Sequence, residues 1–236
     1  MTPVFVETLA GALYRHAWPV YRPLYFAFKR WQDATEIALV RRMVRRGDVV
    51  VDVGANVGFQ TRLFAELVGP DGRVHAFEPD ATNFRRLTAV VRGLPQVELA
   101  RAALSDAPGT LTLYPSPRLN VDHRTYPVDD RVGTEHVPAV TLDGTLAPGT
   151  RVRFVKVDVQ GDELRVLRGM RRVLDDSRDV CLLLECFPHG LATAGGSVDE
   201  YEAMLRAQGF RVHLVEGTRI VEQGSLAHLR DAPPGQ

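Results

Sequence analysis

The run Val49-Val50-Val51-Asp52-Val53-Gly54-Ala55-Asn56-Val57-Gly58 constrains this chain more than any other stretch. Its valines are β-branched and interrupted by a single aspartate, the pattern of a strand buried on both faces. Such a strand belongs to a mostly parallel sheet covered by helices. Glycine spacing then ends it. Phe59, Leu63 and Leu67 fall on one side of the helix that follows, with Phe64 beside them. In sheets of this type ligands bind outside the carboxyl ends of the strands. The spacing D-x-G-x-x-x-G lacks the G-x-G-x-x-G that brings backbone amides against a pyrophosphate. An acid two residues before the first glycine would also repel phosphates. The turn therefore suits a ligand that carries positive charge and no phosphate.

Strand and helix signals alternate along most of the 236 residues. Strands are expected over 48–53, 73–77, 97–104, 152–159, 180–184, 210–216 and 218–222. Between them, Phe84, Leu87, Val91 and Leu94 mark one helix and residues 161–174 another, while Ser197-Val198-Asp199-Glu200 has the form of a capping box. Residues 107–150 break the rhythm with a short hairpin candidate at 109–114, a stretch rich in proline and aspartate, and a further apolar run at 137–142. Such an alternation predicts an α/β, Rossmann-like fold: one mostly parallel sheet with helices on both faces.

Charge is balanced at 29 basic and 29 acidic residues, so no overall field favours nucleic acid. Cys181 and Cys186 lie five apart in an apolar run, where a strand would point them to opposite faces, out of disulfide range. With no disulfide framework and no secretory signal, the expected compartment is cytoplasmic. No apolar run is long enough to span a bilayer. Residues 1–47 hold eight Lys/Arg against three Asp/Glu, and the stretch 18–31 mixes aromatics with bases. That stretch could lie on a membrane surface or a partner, or form a homodimer contact. Two prolines interrupt any long amphipathic helix there, which favours instead a helical cap folded over the pocket.

The strand ends carry the acids that a cationic, phosphate-free ligand needs. Glu78, in Glu78-Pro79-Asp80, ends the second strand, where a carboxylate can accept two hydrogen bonds from a ribose diol. Ser105-Asp106 ends the third, where an aspartate can accept from an adenine amino group. Asp52 meets the cationic part, with Asn56 in the turn between Gly54 and Gly58, and Gly54 lets the backbone approach closely. Adenosine bearing a sulfonium amino acid satisfies all of these, so the expected cofactor is S-adenosylmethionine. Singly, each residue has a structural alternative: a tight turn for the two glycines, a loop for Asp106, a helix cap for Glu78-Pro79-Asp80. Their order at consecutive strand ends selects the ligand.

The runs Val51-Asp52-Val53-Gly54-Ala55-Asn56-Val57-Gly58, His75-Ala76-Phe77-Glu78-Pro79, Val140-Thr141-Leu142-Asp143, Val155-Lys156-Val157-Asp158-Val159-Gln160-Gly161-Asp162-Glu163 and Leu183-Leu184-Glu185 resemble the FkbM family of S-adenosylmethionine-dependent methyltransferases. The resemblance covers residues 47–217. It implies a class I methyltransferase fold, a seven-stranded sheet whose last strand is antiparallel. It also implies transfer mostly to oxygen, often to hydroxyls of sugars or natural products. The family usually has Glu where this chain has Gln160, and often Ala at Asp162. The first difference removes a carboxylate and leaves position 160 outside the expected catalytic set. The division that follows is a helical cap and substrate lid over 1–46 and a catalytic domain over 47–236, with an insertion at 107–150.

Methyl transfer to a hydroxyl needs in-line placement and a base for the proton, or a metal that acidifies it. Asp158 and Glu185 end the fourth and fifth strands, beside the expected methyl position. His123, in the insertion, titrates nearest neutrality and is the leading candidate base. Asp122, Arg124 and His189 are candidates for holding the acceptor, Arg124 by orienting a carboxylate or hydroxyl. Asp158, Glu185 and Asp122 could together hold Mg²⁺ through oxygen ligands. An acceptor nitrogen, a macromolecular acceptor, or a non-catalytic binding role on the same fold are the rival readings. An RNA enzyme would show a basic stripe or an added domain, and the sequence has neither.

Overall fold

Strand β1, Val49–Val53, forms as its composition requires, with Val50, Val51 and Val53 at most 1% exposed. The computed structural model describes residues 3–114, 125, 133–216, 219–222 and 224–230. Three helices precede β1: α1 Pro3–His16, α2 Trp18–Gln32 and α3 Ala34–Met43. After it come α4 Phe59–Val68, β2 Arg73–Phe77, α5 Ala81–Val90, β3 Val97–Ala100 and a two-residue β4, Ala103–Leu104. Next are β5 Gly109–Leu113, β6 Glu135–Val140, α6 Leu142–Thr145, β7 Phe154–Val157, α7 Glu163–Arg168 and α8 Arg171–Asp176. The chain closes with β8 Cys181–Leu184, α9 Pro188–Thr193, α10 Val198–Ala207, β9 His213–Glu216 and β10 Arg219–Glu222.

Five strands in the order β3-β2-β1-β7-β8 make a parallel central sheet. The chain reverses direction across the sheet at β1, so the crevice between the carboxyl ends of β1 and β7 is the topological switch. One face packs Val50, Val74 and Phe154 against Phe64 and Val68 of α4. The other packs Val51, Val53, Val155 and Val157 against Leu164, Leu167, Met170 and Val173. Cys181 and Cys186 are free thiols, as their spacing indicates.

Four expectations are corrected. Among the described residues the central sheet has five strands rather than seven, because β9 and β10 pair with each other in a separate antiparallel sheet and satisfy their ladder there. The third strand is broken: β3 ends at Ala100, whose carbonyl takes the Glu78 N–H, and β4 leaves to pair with β6. The stretch at 109–114 makes no local hairpin. As β5 it pairs with β6, Gly109 opposite Ala139 and Leu113 opposite Glu135. Finally, the helix expected over 161–174 is two. At the break, a Cβ on Gly169 would stand 2.0 Å from the Ser105 carbonyl oxygen. Asp143 then caps α8, its carboxylate accepting from Arg172 N at 3.0 Å and Val173 N at 2.9 Å. At the expected capping box the Ser197 hydroxyl accepts from Glu200 N, while the Glu200 carboxylate accepts from Arg168.

Helices α1 to α3 cover the sheet beside α4 and α5. Phe26 packs edge-on to Phe59 at 5.2 Å, and the Arg86 guanidinium lies 3.5 Å over the Tyr14 ring. The Tyr14 hydroxyl donates to Asn83 Oδ1. Removing the α8 cap tests the break between α7 and α8. Asp143→Ala should cost about 1–2 kcal/mol, which for a domain this size lowers Tm by about 2–8 °C in a thermal melt. An unchanged Tm would show that Asp143 does not hold α8 in place.

Candidate functional site

The site begins where β1 stops. Gly54 N and Ala55 N both donate to the Phe77 carbonyl at 3.0 Å, which bends the chain sharply after Val53. Gly54 has φ +75°, and a Cβ there would lie 2.0 Å from the carbonyl oxygen of Asp158. Only glycine fits. Asn56 follows with φ +51°, and its N–H donates to Glu78 Oε2 at 2.8 Å. Glu78 Oε1 accepts from Asp80 N at 2.9 Å. Each carboxylate oxygen thus keeps one further lone pair for a ligand hydroxyl. Burial pushes the Glu78 pKa up to about 7, against the pull of these two backbone donors. Asp80 in turn caps α5 through Thr82 N and Asn83 N.

Beneath the turn lies a buried charge cluster. Asp52 is fully buried, and its Oδ2 accepts from the Thr61 hydroxyl at 2.6 Å. Directly opposite it in the β1/β7 register stands Lys156. Its Nζ lies 3.9 Å from Asp52 Oδ1 and 3.2 Å from Asp158 Oδ2, and donates to the Gly54 carbonyl at 3.1 Å. Burial alone would lower the Lys156 pKa, but the two carboxylates outweigh it and the shift is upward. Burial raises the Asp52 pKa, opposed by Lys156 and Thr61. One cation shared by two carboxylates leaves net negative charge at the switch point. That is the electrostatic condition for a cationic ligand.

On the other side of Asp158, Gln160 adopts φ +56°. Its Nε2 donates to Asp158 Oδ1 at 3.1 Å and to Glu185 Oε2 at 2.7 Å. The predicted pair from β7 and β8 is therefore brought together through an amide that the sequence reading set aside. Burial raises the Asp158 pKa, but Lys156 and its hydrogen-bond partners reverse the shift downward. Burial, and then the negative charge of Asp158, pushes the Glu185 pKa up to about 9. Under this loop, buried Glu163 accepts from Gly161 N at 3.1 Å, and burial pushes its pKa up to about 7.

Other predicted residues are placed less simply. Ser105 and Asp106 follow β4 rather than the third central strand. Ser105 is buried beside Gly169, and Asp106 is exposed near Asp162. Arg101 follows the end of β3. His189 is exposed at the start of α9, its ring edge-on to Phe187 at 6.0 Å. Asp122, His123 and Arg124 lie outside the described residues. No three His, Cys, Asp or Glu groups converge as a cation site among the described residues, so the Mg²⁺ expectation finds no ligand set there. The structure also adds residues that the sequence did not single out. Burial raises the pKa of Tyr25 on α2, and the charges of Asp33 and Asp158 add to the shift, while Glu36 of α3 accepts from Gln60 Nε2 at 3.3 Å. Their positions on helices before the sheet carry no local signal of this contact.

Comparison with known proteins now bears on the whole site. A family model described as the methyltransferase FkbM domain matches residues 52–212, from the buried Asp52 to the segment before β9. The chain belongs to the FkbM methyltransferase family. Among its relatives is the 31-O-demethyl-FK506 methyltransferase FkbM of Streptomyces tacrolimicus, 29% identical over 209 residues, covering 72% of this chain and 75% of that protein. Another is the hexuronic acid methyltransferase AglP of Haloferax volcanii, 32% identical over 142 residues. That match spans 58% of this chain and 56% of AglP. The solved structure of an FkbM methyltransferase from Methylobacillus flagellatus superposes with TM-score 0.46 at 16% identity, over 72% of this chain and 44% of that one.

The buried cluster is open to a direct test. Lys156→Met leaves Asp52 buried without its cation and should cost about 3–5 kcal/mol, read by urea unfolding. The double variant Asp52→Asn/Lys156→Met should recover part of that loss. Strictly additive losses would show that the two residues do not interact.

Proposed function

We propose that this FkbM-family chain uses S-adenosylmethionine to methylate a hydroxyl group of a sugar or natural-product small molecule. The observation that carries the donor half is the pairing of the Gly54–Gly58 turn with Glu78. Two left-handed positions flank Asn56, both oxygens of Glu78 retain acceptor capacity, and the charge at the strand end is negative. Gly54, Asn56, Gly58, Glu78 and Pro79 hold the cofactor in this reading, and Asp52, fully buried, acts on it only through its charge beneath the turn. Ser105 and Asp106 would reach the adenine only from the end of β4. The acceptor half follows the relatives, whose names specify a demethylated natural product and a hexuronic acid.

When bound, S-adenosylmethionine supplies a methyl group on a sulfonium, and the sulfur departs neutral. The chain's own task is then to place the hydroxyl in line and to take its proton. Asp158 and Glu185 stand together at the strand ends and differ in character. Asp158 is held ionised by Lys156, so it can accept a hydrogen bond from the hydroxyl and orient it. Glu185 reaches solvent, and with its pKa pushed up to about 9 it can receive the proton in its ionised form, at alkaline pH. His123 is the competing base, with Asp122, Arg124 and His189 as acceptor contacts. A pocket of net negative charge repels a phosphate backbone, which favours a small uncharged or weakly charged acceptor over nucleic acid.

Isothermal titration should show binding of S-adenosylmethionine and none of NAD; binding of NAD alone would sink this reading. Ionised Glu78 is the form that accepts from a ribose diol, and its pKa is about 7. Affinity should therefore hold above that pH and fall by about tenfold per pH unit below it. Glu78→Gln should flatten the profile and weaken binding at alkaline pH by about 10–100-fold. With 31-O-demethyl-FK506 and a hexuronic acid as first acceptors, Asp158→Ala and Glu185→Ala should each lower kcat by about 100-fold or more. Gln160→Glu adds negative charge beside Glu185, raises its pKa, and should move the rising limb of kcat/KM to higher pH. Full loss in His123→Ala, with activity kept in the other two variants, would put the base in the insertion.

A further inference from the structure

Helix α2 has two unlike faces. Inward it packs Tyr21 and Phe26 toward the cofactor turn, Phe26 meeting Phe59 one residue beyond Gly58. Outward it presents Val20, Leu24, Phe28 and Trp31, which are 55%, 59%, 51% and 78% exposed. These four recur at intervals of four, four and three, so they form one continuous stripe along the helix. Phe28 and Trp31 touch, with ring centroids 6.2 Å apart. A helix that served only as a cap would have no cause to expose a stripe of large apolar side chains.

The charge of the segment that carries the stripe decides what can cover it. Residues 1–47 hold eight bases against three acids, while the rest of the chain holds 21 bases against 26 acids. Of the three acids, Asp33 is buried and bound by Lys29, and Glu36 is engaged by Gln60. The bases face water: Arg22 and Arg30 on α2, Arg41 and Arg42 on α3, and Arg45 and Arg46 after it. A second copy docking by the same face would bring two net-basic segments together. A surface of anionic lipid instead complements them, and an aromatic end on an apolar stripe suits the headgroup boundary.

We propose that the outer face of α2 docks this protein on an anionic lipid bilayer. No helix among the described residues is long and apolar enough to cross a membrane, so the contact is peripheral. Docked this way, the cofactor turn lies about one helix diameter, roughly 10 Å, from the lipid, within reach of acceptors held at the surface. The proposal concerns attachment and does not rest on the methyl acceptor.

Co-sedimentation of the full chain with phosphatidylglycerol and with phosphatidylcholine vesicles tests it. Binding should be about tenfold or more tighter to the anionic vesicles and should weaken as ionic strength rises. Leu24→Ser/Phe28→Ser/Trp31→Ser should lower that binding by about tenfold or more while Tm stays at the wild-type value, because these side chains are exposed. Failure to bind either vesicle, or equal binding by the triple variant, overturns the proposal. So does a dimer in sedimentation velocity that the triple variant abolishes without any vesicle binding, since the face then belongs to a second copy.

Discussion

The site depends on one close approach between backbones. Gly54 comes so near the Asp158 carbonyl that no side chain can stand between them, and its own carbonyl receives the Lys156 ammonium. This contact joins the end of β1 to the end of β7 at the point where the sheet changes direction. From it the remaining geometry follows. Asp158 is turned over Lys156, Asn56 is carried to Glu78, and the loop through Gln160 begins within reach of β8. A methyl group at position 54 would push the two strand ends apart and dismantle the site from its centre.

A buried carboxylate is costly unless it is paired, and here the pairing also sets the charge at the switch point. Asp52 has Thr61 and Lys156, yet Lys156 also serves Asp158. One cation cannot cancel both. The surplus negative charge would expel a pyrophosphate and attract a sulfonium or an ammonium group, the same preference that the D-x-G-x-x-x-G spacing suggests. Glu78 adds a different requirement, because burial makes its ionised form available only near neutral pH and above. Ligand hydroxyls that donate to it offset the cost of ionising it in place.

What was legible in the sequence was local. A run of valines, an acid at its end and a glycine turn lie within ten residues, and their periodicity states their structure. Glu78 was readable for the same reason. Lys156 was visible as a lysine near Asp158, but its bond to Asp52 depends on the register between β1 and β7, which joins residues more than a hundred positions apart. The break in the helix over 161–174 was hidden likewise: it comes from Ser105 pressing on Gly169 and from Asp143 capping α8. Strand β5 looked like half of a local hairpin because its alternation says nothing of its partner. Tyr25 and Glu36 were beyond reach, since a helix pattern shows which face is apolar and not which strand end it will meet.

Gln160 shows how a departure from a family pattern can be misread when charge is counted without geometry. The amide at this position subtracts a carboxylate from the loop, and on that basis it was set aside. In place, its nitrogen donates to Asp158 and to Glu185 at once. A glutamate could offer no such hydrogens while ionised, and three carboxylates around one shared lysine would force a proton onto one of them. The amide lets two carboxylates stand together with unequal basicity, one held ionised by Lys156 and the other raised by its neighbour. In the proposed reaction that inequality separates a group that fixes the hydroxyl without taking its proton from one that, once ionised at alkaline pH, can take it.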